Sequence, residues 1–273
     1  MHAAPSAAER GLAASPRGRG LVGVRVSPPV TPLLSLRGIG MSYGAVTALR
    51  DVDFDIGAGE VVALCGDNGA GKSSLVKILA GAQAPTAGSI ALDGANEKFR
   101  DPQDALRKGI ATIYQDLAVA PRLSIWQNVF LGSELTRPPF GLLDKRRMAE
   151  MSRGFLARLA VDIADMETPV ERLSGGQRQA VAICRALRWD ARIIIMDEPT
   201  AALGVKETAQ VLELIRRLQA EKHTVILVSH AMQDVVAVAD RVVILRGGRK
   251  VQDRPVAGLT AGDLAAMIMQ RAA

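Results

Sequence analysis

Gly66-Asp67-Asn68-Gly69-Ala70-Gly71-Lys72-Ser73 follows an apolar run, Val61 to Cys65, and opens a helix-like stretch, Ser74 to Ala80. Glycines let a backbone turn tightly and aim successive N–H groups at an anion, and a helix behind the turn adds the positive end of its dipole. The spacing Gly-x4-Gly-Lys-Ser between strand and helix therefore reads as a phosphate-binding loop. Lys72 would reach the β and γ phosphates, and the Ser73 hydroxyl would hold Mg²⁺. A ligand-free Gly-rich turn is the plain alternative, and the residues downstream weigh against it.

The run Arg192 to Met196 leads into Asp197-Glu198-Pro199-Thr200. Two carboxylates at the end of a buried strand are costly to desolvate unless a cation or a polarised water is there, so they mark a site rather than a core. Asp197 can order the shell of a Mg²⁺, and Glu198 can orient and deprotonate water. Thr224 to Val228 ends in Ser229-His230. A lone histidine at a strand end is more often structural, but at the same sheet edge as a phosphate loop and paired carboxylates it reads as part of the site. Gln115 leaves the strand Ile110 to Tyr114 and is placed to meet a ligand at the carboxyl edge of a parallel sheet. By itself that glutamine would mean little.

Two further features are weaker taken alone. Tyr43, one of two tyrosines in the chain, sits beside Gly44 in a loop ahead of the phosphate loop, as a purine-stacking platform or an ordinary packed ring. In Leu173-Ser174-Gly175-Gly176-Gln177, Ser174 is a good helix N-cap and the glycines expose N–H groups, which makes a second anion site. A capped helix with a glycine entrance would explain one Ser and one Gly, but not the whole pentad.

The elements that must position these residues follow from patterning. Leu33 to Ile39 and Ala48 to Ile56 read as strands, with Val52, Phe54 and Ile56 alternating against Asp51, Asp53 and Asp55. Gly88 to Gly94 is a short strand between glycine turns, and Pro102 to Lys108 a helix. The continuous apolar run Arg192 to Met196 suits a central parallel strand buried on both faces. Ser124 to Leu131, Asp144 to Ala160 and Gly176 to Trp189 have helical spacing, for instance Met148, Met151, Phe155 and Leu159, and read as a helical insertion into an α/β core. Val242 to Leu245 with Gly247 to Val251 is a hairpin, and Leu259 to Met269 an amphipathic terminal helix capped by Thr260.

At 273 residues and 48% apolar content the chain can bury a sizeable core, and no window approaches a membrane span. Work at a membrane would need a partner. The formal charge is +6, and residues 1–32, with four Arg against one Glu, supply about half of it, so charge alone is weak evidence for a polyanion partner, and no nucleic-acid partner is expected. That segment lacks apolar periodicity and is expected to be a disordered leader. Cys65 and Cys184 lie in apolar settings and read as small buried residues of a protein in a reducing compartment.

With these residues in view, the chain resembles the ATP-binding subunits of ABC transporters over roughly 33–269. The resemblance implies an α/β fold with a P-loop NTPase core, a mixed sheet, an antiparallel β subdomain and a helical insertion at about 117–188, within one ATPase domain over 33–273. Tyr43 corresponds to the adenine-stacking residue. Gly66, Asp67, Asn68, Gly69, Ala70, Gly71, Lys72 and Ser73 correspond to Walker A, with Ser74 beside them. Gln115 is the Q-loop residue, Leu173 to Gln177 the signature, Asp197 and Glu198 Walker B with its base, and His230 the switch histidine. It implies ATP and Mg²⁺ as ligands, with Ser73, Gln115 and Asp197 around the metal and Glu198, His230 and Lys72 as the catalytic set.

In that family the signature of one copy closes over the ATP held by another, so a second copy or a related ATPase subunit is implied. So are transmembrane permease subunits, an external solute-binding protein acting indirectly, and a peripheral place on the cytoplasmic face of the membrane. One departure is clear: where the family usually has Ser-Ala-Leu-Asp after Walker B, this chain has Ala201-Ala202-Leu203-Gly204, and Gly204 puts communication between the sites in doubt. The stretches Val62 to Lys72, Ile113 to Leu117 and Glu198 to Thr208 are similar to the ribose, xylose and fructose importers, in particular to single-domain members. The expected function is ATP hydrolysis that energises an importer for a monosaccharide. The alternative is a soluble ATPase of the same kind acting on DNA or ribosomes, disfavoured because only 57 residues separate Gln115 from Leu173, too few for a long coiled coil.

Overall fold

The computed structural model describes residues 31–269. Most of the leader expected over 1–32 lies outside the described residues. The alternation read near the start builds an antiparallel hairpin, β1 (Leu34–Tyr43) and β2 (Val46–Ile56), paired from Leu34↔Ile56 to Tyr43↔Val46. Val52, Phe54 and Ile56 are buried while Asp51 and Asp53 face water. Strand β1 runs four residues beyond Ile39, so Tyr43 closes a strand instead of lying in a loop.

Strand β3 (Val61–Cys65) is wholly buried, and α1 (Lys72–Leu79) starts at Lys72, two residues ahead of the expected Ser74. Strands β4 (Ala87–Leu92) and β5 (Ala95–Glu97) complete a four-stranded sheet in the order β2-β1-β4-β5. A Cβ at Gly88, with φ of 89°, would come within 2.4 Å of the Gly38 carbonyl, so β4 can approach β1 there only as glycine.

Next come α2 (Pro102–Arg107), capped by Asp101, and β6 (Ile110–Ile113). The expected helical insertion contains α3 (Ile125–Phe130), a small hairpin of β7 (Thr136–Arg137) and β8 (Leu142–Leu143), α4 (Lys145–Arg158) and α5 (Gly175–Arg188). The insertion is therefore not purely helical. Its α4 stripe also differs from the expected one: Met148, Ser152, Leu156 and Leu159 are buried, whereas Met151 is 37% exposed. Ser152 is accommodated because its hydroxyl donates to the Met148 carbonyl at 2.8 Å. Buried Asn128 braces the segment, accepting from the Ala120 N–H and donating to the carbonyls of Ala120, Leu123 and Ser124.

The chain then returns through β9 (Ile193–Asp197), α6 (Val205–Ala220), β10 (Thr224–Val228), α7 (Met232–Val238), β11 (Arg241–Arg246), β12 (Arg249–Pro255) and α8 (Ala261–Met269). Patterning at the sequence level had not singled out α6 and α7. The second sheet has the order β12-β11-β3-β10-β9-β6, parallel except for β12. Successive residues of β9 feed opposite cores: Ile193 and Ile195 pack toward the antiparallel sheet and α1, Ile194 and Met196 toward the helices of the insertion and α6. That two-sided burial accounts for the continuous apolar run. Arg241 ties the sheets together, donating to Glu60 and Asp253 at 2.6 Å each and to the Asp55 carbonyl. Both cysteines are buried, and burial pushes the Cys65 thiol up to about 12, which fits structural residues.

Candidate active site

The loop between β3 and α1 has its glycines where a side chain cannot go. Gly66, Gly69 and Gly71 have φ of 150°, 80° and 103°. A Cβ at Gly66 would lie 2.2 Å from the Leu245 carbonyl, and one at Gly71 2.6 Å from the Ala48 carbonyl. The turn is closed by Ala70 N–H donating to the Asp67 carbonyl at 3.1 Å. Lys72 folds back and donates to the carbonyls of Gly66 at 2.5 Å and Asp67 at 3.1 Å. Asp67, Asn68, Gly69 and Ser73 are exposed around it, Ala70 is buried and Ser74 half-buried. The result is a cradle of loop amides at the start of a helix, with a cation at its centre.

The paired carboxylates stand at the same sheet edge. Asp197 ends β9 and is half-buried; burial raises its carboxyl above the usual range, the Glu198 charge raises it further, and the Lys72 ammonium lowers it. The β9 end and the loop after β3 stand at the same edge of the sheet, with β10 between the two strands. A half-buried carboxylate held in this way is suited to a hard divalent cation. Asp197→Asn is accordingly expected to raise the thermal midpoint of the nucleotide-free protein near neutral pH. The sign follows from linkage: a carboxyl with a raised folded-state pKa loses stability as pH rises past its unfolded value, and the amide removes that loss. A lower midpoint in a melting scan at pH 7.5 would contradict it.

Glu198 adopts the left-handed region, φ of 51°, at a cost of about 1–3 kcal/mol for a residue with a side chain. Its N–H donates to the Val228 carbonyl at 2.9 Å, which fixes the turn against the end of β10. His230, just past β10 and largely exposed, brings Nδ1 to 2.7 Å from Glu198 Oε2. Thr200 donates to Asp234 of α7 at 2.7 Å and pins the same turn from the other side. Gln115 is exposed at the exit of β6, and its neighbour Tyr114 has a pKa raised by burial and then by the Asp197 charge. Arg185 of α5 donates to the Leu117 and Ala118 carbonyls and holds this exit segment in place. Tyr43 is 41% exposed with its hydroxyl donating to Gln83, so the ring is accessible while its tip is tethered.

The pentad belongs to a different neighbourhood. Leu173 is buried, and Ser174 caps α5 in a reciprocal box with Gln177: the Gln177 N–H donates to Ser174 Oγ at 3.3 Å and the Ser174 N–H to Gln177 Oε1 at 3.0 Å. Gly175 and Gly176 pack against Leu203, Glu207 and Gln210 rather than against the phosphate loop. The Gly175 N–H, expected to be free, donates to Glu207. The structure thus gathers Lys72, Asp197, Glu198 and His230 at one edge and packs Gly175 and Gly176 against α6 and the turn before it. Sequence reasoning missed Thr200, Asp234, Arg185 and Glu207. Of these only Glu207 had a local signal, three residues beyond Gly204 as the acidic member of a helix-capping pattern.

Beside the edge, a groove of about 430 Å³ runs between α2, β6 and α5. Leu106, Ile113, Tyr114, Leu131 and Trp189 line it, with Arg185 at one wall.

The sequence pattern of the ABC transporter family matches residues 49–201. The fructose import ATP-binding protein of Rhizobium meliloti is 47% identical over 226 residues, covering 81% of this chain and 87% of the relative. The xylose/arabinose import ATP-binding protein of Sulfolobus acidocaldarius is 47% identical over 220 residues with the same coverage. A ribose import ATP-binding protein of Yersinia pestis is 42% identical over 240 residues, and the chain spans 47% of its length. Among solved structures, a dimeric ATP-binding cassette in a post-hydrolysis state, bound to ADP and Pi, superposes with a TM-score of 0.69 at 25% identity, covering 83% of this chain and all of that one. A second ATP-binding cassette of an ABC transporter reaches 0.76 at 21% identity, covering 87% and 97%, which speaks for the fold alone.

Proposed function

The chain belongs to the ABC transporter family, and from that premise we propose that it is the ATP-hydrolysing subunit of an importer for a monosaccharide. One observation carries the chemistry: a carboxylate pair whose second member, Glu198, is held by His230 at 2.7 Å, beside a phosphate loop with Lys72 at its centre. The sugar assignment is supported by the relatives named for fructose, xylose/arabinose and ribose import.

The loop amides from Gly66 to Ser74 and the Lys72 ammonium neutralise the β and γ phosphates of ATP, with the adenine on Tyr43. Ser73, Asp197 and Gln115 would hold Mg²⁺, which when bound offsets phosphate charge. Glu198 orients a water in line with the γ phosphorus and takes its proton. The new P–O bond forms as the bond to the bridging oxygen breaks, releasing ADP and phosphate. His230 fixes the Glu198 carboxylate through Nδ1, and Gln115 reports the γ phosphate to the exit segment clamped by Arg185. Positioning and charge account for most of the rate in such a reaction.

Gly175 and Gly176 pack against Leu203, Glu207 and Gln210, and not against their own phosphate loop, and this supports the pentad acting on the nucleotide of a second copy. Among the described residues no helix is long and apolar enough to cross a membrane. The permease would hold the chain at the cytoplasmic face, and the groove beside Tyr114 and Trp189 is the surface for that contact, since it adjoins the Gln115 segment. An external solute-binding protein would act through the permease alone.

Two measurements test the reading. The purified chain should hydrolyse ATP only with a divalent cation, and in lysates it should sediment with membranes. Sedimentation with nucleic acid instead, released by salt alone, would favour the soluble alternative. Tyr43→Ala should weaken ATP binding by about 1–3 kcal/mol if the ring stacks on adenine, while Tyr43→Phe, which loses only the bond to Gln83, keeps the affinity. Equal loss of affinity for ATP and for inorganic triphosphate in Tyr43→Ala would assign the effect to folding.

A further inference from the structure

Glu207 lies in the first turn of α6, and its carboxylate uses both oxygens. Oε1 accepts from the Gly175 N–H at 2.8 Å and Oε2 from the Gly204 N–H at 3.3 Å. The first amide opens α5 at the heart of the pentad. The second ends the segment Ala201 to Gly204, which leaves Glu198 and opens α6. One side chain therefore joins the pentad turn to the continuation of the catalytic turn.

The junction is tight. A Cβ at Gly175 would lie 2.6 Å from Leu203 Cδ2 and 3.0 Å from Glu207 Oε1, and one at Gly176 would lie 2.6 Å from Gln210 Oε1. Both glycines are buried, so the turn has no room to shift sideways. The Gly175 and Gly204 amides, with the Arg178 charge, hold the Glu207 carboxyl below the usual carboxylate range. It stays ionised near neutral pH and keeps two acceptor oxygens. Gly204 has no side chain with which to bridge these turns, so the bridge falls to Glu207.

We propose that Glu207 is a positioning residue for ATP hydrolysis: it locks the Ser174-Gly175-Gly176 turn to the Gly204 turn, so that the surface offered to a second copy's nucleotide moves as one body with the segment carrying Glu198. The inference rests on the reading of the chain as a dimerising ATPase. Its physical basis is that two amides on separate turns share one carboxylate, a geometry that a single-acceptor side chain cannot reproduce.

The test compares the full chain with Glu207→Ala and Glu207→Gln by turnover at saturating Mg²⁺-ATP, equilibrium ATP affinity in Mg²⁺-free buffer, and thermal midpoint without nucleotide. Glu207→Ala should lower kcat about 10- to 100-fold, as small misplacements remote from the chemistry do, with ATP affinity kept within about twofold because Tyr43 and the phosphate loop are untouched. Glu207→Gln keeps one acceptor oxygen and should fall between. A role confined to capping α6 would lower the midpoint and leave kcat at the wild-type level below the transition, and that result overturns the inference. So does an equal fall in kcat and ATP affinity. Should Glu207→Ala fail to fold, Glu207→Gln decides: wild-type kcat overturns the inference, and reduced kcat with unchanged affinity supports it. A wild-type chain that hydrolyses no ATP removes the functional reading itself, whereas an active wild type beside an equally active Glu207→Ala removes the inference alone.

Discussion

Glu198→Gln is expected to lower ATP turnover by about 10²–10⁴-fold, the usual contribution of a positioned general base, while ATP binding survives. The amide is close in shape to the carboxylate and can still meet His230, so the turn fixed by the Glu198 N–H to Val228 should persist. What it cannot do is take a proton. Lys72 and the loop amides are untouched, so the nucleotide should still be held and closed dimers should accumulate with ATP. Glu198→Ala makes a useful partner, because it also removes the contact with His230. If Glu198→Gln hydrolyses ATP at the wild-type rate, Glu198 has no part in the chemistry and another base must be sought at this sheet edge.

The second large effect concerns Lys72 and transport. Removing one partner of a hydrogen-bonded charge pair costs about 2–5 kcal/mol, so Lys72→Ala should weaken ATP binding roughly 30- to 4,000-fold at 1.4 kcal/mol per decade. The substitution also removes the two bonds from Lys72 to the Gly66 and Asp67 carbonyls, but the glycine conformations and the Ala70 to Asp67 backbone bond remain to hold the turn. A strain lacking the chain should fail to take up one pentose or hexose at low external concentration. The wild-type chain should restore that uptake and Lys72→Ala should not, because closure around ATP is what drives the membrane subunits. Normal uptake of every monosaccharide tested would sink the importer assignment and leave the ATPase standing. Restoration by Lys72→Ala would instead detach transport from nucleotide binding at this loop.

Much of the site was legible because its parts are local. Gly-x4-Gly-Lys-Ser carries its own turn, its own helix start and its own cation, so eight consecutive residues specify a phosphate cradle before any tertiary contact forms. Asp197-Glu198 at the end of an apolar run is similarly self-announcing, since paired carboxylates do not end a buried strand without a reason. The alternating aspartates of β2 and the continuous run of β9 gave the two kinds of sheet, and the parallel and antiparallel pairings follow them. Where local signals are ambiguous, tertiary contacts decide. Tyr43 beside Gly44 looked like a loop, but pairing with Val46 extends β1 to it. In α4 the spacing put Met151 on the buried stripe, yet Met151 turns to water and Ser152 is buried, because its hydroxyl is satisfied on the preceding turn.

By itself, the sequence determined which residues have the chemical types proposed to bind phosphate, polarise water and take a proton, and which runs must be buried to carry them. Only the tertiary structure decided which of those residues meet. The strand order β3-β10-β9 brings the loop, His230 and the carboxylates to one edge from segments far apart in the chain. The packing of α5 on α6 sets Gly175 and Gly176 against Leu203, Glu207 and Gln210 and spends the Gly175 amide on Glu207. The physical reason is that a motif's composition fixes what its atoms can donate or accept, whereas the partner each finds depends on how sheets and helices stack. That stacking is set by burial summed over the whole chain and is not encoded at the motif.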